Sequence, residues 1–373
     1  MIKRELGKVI KDKMFKGKAV ILTGARQTGK TTLLLSLLGP RDDYISLNCD
    51  EPIVRMRLQD VNSSELRQII GNKKVVFIDE AQRVKNIGVT LKLIHDQFTE
   101  VQLIASGSSS FDLANEINEP LTGRKWEYSL FPISWSELVE HTGYMDAHSR
   151  LEQRVIYGMY PDVLNHPGEE EEVLYQLSDS YLYKDLLSHK GIRKPDLLDK
   201  LLRALALQIG NEVSYNELAN LIQIDKNTVQ NYIDLLEKTF VVFRVPAFSR
   251  NIRNEISTGK KIYFCDTGIR NAMISDFAPL DLRPDTGALW ENFLISERMK
   301  VLHYRRKRAR MHFWRTTSQS EIDYVEESGN SLSAWEMKWN ERAKVRIPGS
   351  FKKHYYTDVM VLNRSNFHDF LDV

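Results

Sequence analysis

Apolar positions follow two rhythms along the chain. From about residue 19 to 135, short and largely apolar runs alternate with amphipathic stretches: Ala19-Val20-Ile21-Leu22, Tyr44-Ile45-Ser46-Leu47, Val75-Val76-Phe77-Ile78 and Val101-Gln102-Leu103-Ile104. A run that is apolar on successive residues buries both faces of a strand, and strands separated by helices pair in parallel. The pattern predicts an α/β domain over residues 1–148 with a parallel sheet at its centre.

Beyond it the rhythm turns helical. Leu197, Leu198, Leu201, Leu202, Leu205 and Ile209 recur at helical steps and define one face. Ser214-Tyr215-Asn216-Glu217 has the spacing of a capping box, and Leu218, Leu221 and Ile222 continue that helix. A third helix carries Val229, Tyr232, Ile233 and Leu236, and two β-rich runs follow it, Phe240-Val241-Val242-Phe243-Arg244-Val245 and Lys261-Ile262-Tyr263-Phe264. Three helices and a β-wing predict a winged helix over 196–265, behind a helical lid or linker at 149–195. From 266 to 373, a helix around 289–299 and strands near 311–314, 321–325, 333–338 and 358–362 predict a further α/β domain.

Composition narrows the class. The chain has 373 residues, 42% hydrophobic and 27% charged, so it can bury more than one core and is too apolar for a disordered chain. Its longest apolar runs fall far short of the ~20 residues that cross a bilayer. No apolar stretch follows the basic start Lys3-Arg4, so no secretory signal is visible, and a cytoplasmic protein with no membrane contact is expected. Cys49 and Cys265 are too few for a disulfide framework and too isolated for a zinc site. A net charge of +2 says nothing about nucleic acid until its distribution is read.

Chemistry enters at Gly24-Ala25-Arg26-Gln27-Thr28-Gly29-Lys30-Thr31, which fits the P-loop pattern between a strand and a helix opening at Thr32. Such a loop curls successive backbone N–H groups around phosphates at the positive end of a helix. Lys30 should reach the β- and γ-phosphates of ATP and the Thr31 hydroxyl should ligate Mg²⁺. The plainer alternative, an empty strand-to-helix turn, loses weight once Val75-Val76-Phe77-Ile78-Asp79-Glu80 is seen to end in two carboxylates where parallel sheets bind ligands. Asp79 is expected to hold Mg²⁺ through water and Glu80 to act as the base. Ser108, after the third strand in Gly107-Ser108-Ser109-Ser110, is a candidate sensor of the γ-phosphate or a hydroxyl satisfying its own turn. Arg124 follows an expected helix at 111–117 and is either a charge stabiliser, from its own chain or a neighbour, or a solvated surface residue.

Together, Gly24 to Thr31, Asp79-Glu80-Ala81-Gln82, Gly107-Ser108 and Gly123-Arg124 resemble the prokaryotic AAA-type ATPases related to the STAND and archaeal ATPase group. Tyr160-Pro161-Asp162-Val163, Tyr181-Leu182-Tyr183-Lys184-Asp185 and Phe264-Cys265-Asp266-Thr267-Gly268 extend the resemblance over nearly the whole chain. Gly158-Met159 departs from it, where two adjacent glycines are expected. The resemblance implies ATP binding and hydrolysis, a winged helix, and a C-terminal domain resembling restriction endonucleases. Asp323 followed by Glu336-Met337-Lys338 looks like the metal site of that fold, with Glu291 on the preceding helix as a further acid. Period-2 alternation puts Glu336 and Lys338 on one strand face.

Two surfaces bear on partners. The third helix of the expected winged helix presents Lys226, Asn227, Gln230, Asn231 and Asp234, too little positive charge for a phosphate backbone, so a packing role is favoured there. Residues 298–315 carry eight cations and no acid (Arg298, Lys300, Arg305, Arg306, Lys307, Arg308, Arg310 and Arg315), interleaved with Tyr304, Phe313 and Trp314. That combination suits nucleic acid, with rings available to stack on bases, and its plainer alternative is a solvated basic face. The expected protein is a Mg²⁺-dependent ATPase coupling nucleotide state to nucleic-acid engagement, with a homo-oligomer left open. The alternatives are a slow ATP-dependent switch acting on a protein partner and an ATP-gated nuclease.

Overall fold

The computed structural model describes residues 1–108, 117, 119–179, 194–249, 259–316 and 320–373. The expected helix at 111–117, apart from Ile117, lies outside the described residues, as do Ser109, Ser110 and the Tyr181-Leu182-Tyr183-Lys184-Asp185 motif. The chain forms two compact units, Met1–Phe131 with Lys238–Phe240, and Pro132–Glu237 with Val241–Val373. The expected bounds at 148, 195 and 265 divide the chain more finely than these two units, the first of which closes at Phe131.

In the first unit, strands β1 (Ala19–Thr23), β2 (Tyr44–Asn48), β3 (Val75–Asp79), β4 (Gln102–Gly107) and β5 (Lys125–Ser129) form one sheet of order β2-β3-β4-β1-β5. All pairs are parallel, with Val20 against Ile104 and Trp126, and Ile78 against Ala105. β1, β3 and β4 are buried along their full length, as continuous apolar runs require when helices cover both faces. One face packs Ile21, Val76, Ile78 and Ala105 against Leu66, Ile87, Leu91 and Ile94 of the covering helices. The order sets β1 and β3 on either side of β4, so the segments leaving their C-terminal ends converge over the end of β4.

In the second unit, the helices Pro195–Leu207, Tyr215–Ile222 and Lys226–Lys238 accompany a three-stranded antiparallel sheet of order β6-β8-β7. Its strands are β6 (Glu212–Val213), β7 (Val242–Pro246) and β8 (Lys260–Phe264). Ser214 caps the second helix by accepting from the Glu217 backbone N–H at 3.4 Å. A second sheet of order β12-β11-β10-β9 follows, made of β9 (Arg310–Arg315), β10 (Glu321–Ser328), β11 (Ser331–Met337) and β12 (Val359–Leu362). Only its β11–β12 pair is parallel. Between the sheets runs the helix Thr286–Tyr304, buried on nearly every side, with Leu289, Trp290, Phe293 and Leu294 at its centre and Glu291, Asn292, Glu297, Arg298 and Lys300 buried beside them. Asn292 on it exchanges both amide hydrogen bonds with the backbone of Phe264, which welds β8 to the helix and explains why no boundary falls near 265.

The Phe264-Cys265-Asp266-Thr267-Gly268 motif is structural. Asp266 caps the helix Thr267–Ile274 by accepting from the N–H groups of Gly268 (2.9 Å) and Ile269 (3.2 Å), and its other oxygen accepts from Met159 N–H at 2.7 Å. Gly158 adopts φ 73°, and a Cβ there would meet the Asp266 carboxylate at 2.0 Å. One glycine is therefore required, and the next position holds the buried Met159.

Candidate nucleotide site

β1 delivers the chain to Gly24 at the C-terminal edge of the sheet. Gly24 has φ 151°, and a Cβ there would lie 2.2 Å from the carbonyl oxygen of Leu130, so the loop can pass this close to the end of β5 only as glycine. Gly29 (φ 90°) is the N-cap of the helix Lys30–Leu38. Between them, Thr28 is fully buried and donates to the Ala25 carbonyl at 2.8 Å. The Lys30 ammonium is buried and donates to the carbonyls of Gly24 (2.9 Å) and Ala25 (2.8 Å), lying across the hollow of the loop. Arg26 is half-buried, and Gln27, Thr31 and Thr32 are exposed at the rim.

β3 brings the acids. The Thr31 hydroxyl donates to Asp79 Oδ2 at 2.7 Å, while Asp79 Oδ1 accepts from the Ser106 hydroxyl and from the Glu80 N–H at 3.1 Å. Glu80 sits in the left-handed region at φ 52°. Its Oε2 accepts from Gln82 Nε2 at 2.6 Å, and the same nitrogen donates to Ser108 Oγ at 3.0 Å. Lys30, Thr31, Asp79, Glu80 and Ser108 thus meet at one edge of one sheet. Burial pushes the thiol of neighbouring Cys49 up to about 12, with the Asp79 charge adding to it, so this cysteine is inert.

Three contributors were not anticipated. Ser106 sits beside Asp79 because β4 pairs with β3, and its signal was a small polar residue closing a buried strand. Gln82 lay inside a recognised motif but had no assigned part. Arg4 donates to the carbonyls of Thr28 (2.7 Å) and Phe131 (2.6 Å) from a segment read only for targeting signals. No local pattern announces a contact that spans 127 residues.

Arg124 is not brought to this site. Its carbonyl accepts from Ala19 N–H at 2.9 Å, which fixes it at the N-terminal end of β1, while the P-loop leaves the C-terminal end. At ~3.3 Å per residue the two lie roughly 15–20 Å apart along the strands. Its guanidinium instead pairs with Asp96 at 2.9 Å. A role at its own chain's P-loop is thereby removed.

In the second unit Glu291, Asp323, Glu336 and Lys338 do gather, as an ion-paired cluster. Lys338 Nζ donates to Glu336 (2.9 Å) and Asp323 (3.2 Å), and the buried Lys261 donates to Glu291 (2.9 Å) and pairs with Glu321. The ammonium of Lys338 occupies the place between Asp323 and Glu336 where a cation would sit. Among the described residues no group of three or more His, Cys, Asp or Glu side chains is arranged to hold a metal ion. The four expected residues are thus brought together, with Lys338 joining the two strand carboxylates Asp323 and Glu336. Burial raises Glu291 to about 7, with Asp323 pushing it further and Lys261 opposing. Burial and the Asp323 charge likewise raise Glu336 to about 7.

The basic stretch is also corrected. Tyr304, Phe313 and Trp314 are all buried, so none can stack on a base. Arg298 is buried in a bidentate pair with Glu326 (2.8 Å for each bond), and Lys300 is buried against Glu297 (2.6 Å). Arg315 pairs with Glu321 at 3.5 Å. Arg305, Arg306, Lys307, Arg308 and Arg310 remain exposed, with Arg305 and Lys307 sharing Asp372.

Comparison with known proteins divides the chain into three matched segments, two of them within the second unit. Residues 16–139 match the model of an AAA domain, residues 148–281 a domain of unknown function (DUF8612), and residues 286–369 another domain of unknown function (DUF4143). An uncharacterized protein of Mycobacterium tuberculosis is 28% identical over 338 residues, covering 88% of this chain and 72% of its own. An uncharacterized protein of Methanocaldococcus jannaschii is 25% identical over 312 residues, covering 77% of this chain and 68% of its own. Among solved structures, a Walker-type ATPase of Pyrococcus abyssi is similar in fold, with a TM-score of 0.50 and 17% identity over 74% of this chain and 96% of that one. The AAA match and the shared fold support a P-loop ATPase. Among the described residues no helix is long and apolar enough to cross a membrane.

Proposed function

We propose that the chain is a Mg²⁺-dependent ATPase whose turnover governs how its second unit engages a target. The observation that carries this reading is the 2.7 Å hydrogen bond from Thr31 to Asp79, which joins the P-loop to the acidic strand end beside Glu80. A hydroxyl and a carboxylate in contact are a hard-oxygen donor pair, and they fit Mg²⁺ completed by phosphate oxygens and water. Bound there, Mg²⁺ would neutralise charge on the β- and γ-phosphates. The loop's backbone N–H groups and the Lys30 ammonium would bind those phosphates, Lys30 exchanging its two carbonyl partners for them. Glu80 would orient the attacking water and take its proton on the carboxylate.

For the target, the exposed cations between Arg305 and Arg310 support contact with a phosphate backbone through charge alone. The three helices and the β6-β8-β7 sheet are consistent with a winged helix. Arg244 pairs with Asp234 and with Glu237 (3.1 Å) on its third helix, which favours packing over DNA reading. A second reading, a slow switch acting on a protein partner, is favoured by the burial of every aromatic ring proposed for stacking.

The test is ATP binding and turnover, with and without duplex DNA or RNA. Lys30→Ala should lose ATP binding, whereas Glu80→Gln should retain it and lose hydrolysis. Wild-type turnover in Glu80→Gln would overturn the assignment of the base. Turnover indifferent to nucleic acid would move the switch ahead.

A further inference from the structure

Gln82 occupies an unusual position between two groups of the nucleotide site. A primary amide has two N–H donors and one carbonyl acceptor. Here the nitrogen donates to Glu80 Oε2 at 2.6 Å and to Ser108 Oγ at 3.0 Å, while Oε1 is buried without a partner among the described residues. The reversed amide would turn its oxygen toward a carboxylate, so the hydrogen bonds fix this orientation. Ser108 accepts from Gln82, which leaves its own hydroxyl proton to be donated elsewhere. A phosphate oxygen is a suitable acceptor. Glu80 follows the end of β3 in the left-handed region, at φ 52° and ψ 41°.

We propose that Gln82 is a positioning residue that links the Ser108 hydroxyl to the Glu80 carboxylate, so that a γ-phosphate engaged at Ser108 sets the orientation of Glu80. The polarity runs one way, from the amide N–H to the serine oxygen and from the serine O–H to phosphate. The link distinguishes a nucleoside triphosphate from a diphosphate, because only the former presents the group that Ser108 meets. The inference rests on the ATPase reading above.

The test compares Gln82→Met, Gln82→Glu and Ser108→Ala with wild type and Glu80→Gln, measuring ATP and ADP affinity, kcat and its pH profile. Met keeps the length and bulk of the side chain and removes the amide donor. Gln82→Met should bind ATP within about twofold of wild type and lose about tenfold or more in kcat, as loss of a positioned base requires. Its effect should not add to that of Ser108→Ala, since both cut one link. Gln82→Glu should shift the ascending limb of the kcat profile to higher pH, because a second carboxylate against Glu80 raises its pKa. A packing role moves none of these in Gln82→Met. Wild-type kcat in Gln82→Met, or full additivity with Ser108→Ala, would overturn the inference while an inactive Glu80→Gln leaves the ATPase reading standing. Turnover unaffected by Glu80→Gln would overturn both.

Discussion

Arg4 shows how a single side chain can hold a loop it does not belong to. Its guanidinium is buried, and two of its nitrogens reach carbonyls of the P-loop residue Thr28 and of Phe131. A hydrogen bond to a charged group contributes about 1.5–3 kcal/mol, and removing the donor strands buried acceptors as well. Arg4→Ala should therefore lower stability by about 3 kcal/mol, read from urea unfolding, and weaken ATP binding because the loop is no longer held in shape. Arg4→Lys should fall between the two, since a compact ammonium cannot match the planar fork that serves both carbonyls. If Arg4→Ala loses stability but binds ATP as wild type does, the contact supports the fold and not the loop.

Among the elements, the helix Thr286–Tyr304 carries the most unusual polar load. Glu291 on it accepts from Lys261 and from Tyr263, with Glu321 and Asp323 acting on the same lysine. Burial and the surrounding acids raise Glu291 to about 7 from an ordinary 4.5. A raised carboxylate binds a proton more tightly in the folded than in the unfolded chain. Its contribution is therefore full below about pH 4.5 and is lost as pH rises to about 7. The unfolding free energy read from urea titrations should fall across that window, by at most about 1.4 kcal/mol per pH unit from this group. Glu291→Gln should flatten that fall; a pH curve parallel to wild type would refute the assignment. The helix itself was anticipated only at 289–299, because it is buried on every side and lacks the one-sided stripe that marks helix ends. β5 escaped notice for the opposite reason: Lys125-Trp126-Glu127-Tyr128-Ser129 is an edge strand with only Tyr128 buried, and it lacks a continuous apolar run. The central strands and the P-loop were legible because burial on both faces and phosphate chemistry leave few residue choices. The cluster around Asp323 was legible as a set of residues, since strand alternation puts Glu336 and Lys338 on one face, whereas the contribution of Lys261 from a distant strand was not.

At the scale of the whole molecule, the question is whether one chain holds a complete nucleotide site. Lys30, Thr31, Asp79, Glu80, Gln82 and Ser108 all come from the first unit, at the C-terminal edge of its sheet. Arg124 lies at the opposite edge, half-buried and paired with Asp96, a surface ion pair of the kind that contributes at most about 1 kcal/mol. Among the described residues of its own chain, its guanidinium is engaged by Asp96 and by the Thr122 carbonyl, not by the P-loop. Arg124→Ala should therefore hydrolyse ATP within about twofold of wild type, where one charge at a developing phosphoryl group would be worth about 10³ or more. The contrary result has its own signature. If Arg124→Ala were inactive, mixing it with Lys30→Ala chains would separate two causes. In a symmetric dimer, half of randomly paired molecules are mixed and each has one intact site, so about one quarter of wild-type turnover would return if the arginine acted on a neighbour. No recovery would mean that the substitution harmed its own chain, and the sheet edge around Asp96 would then need a different account.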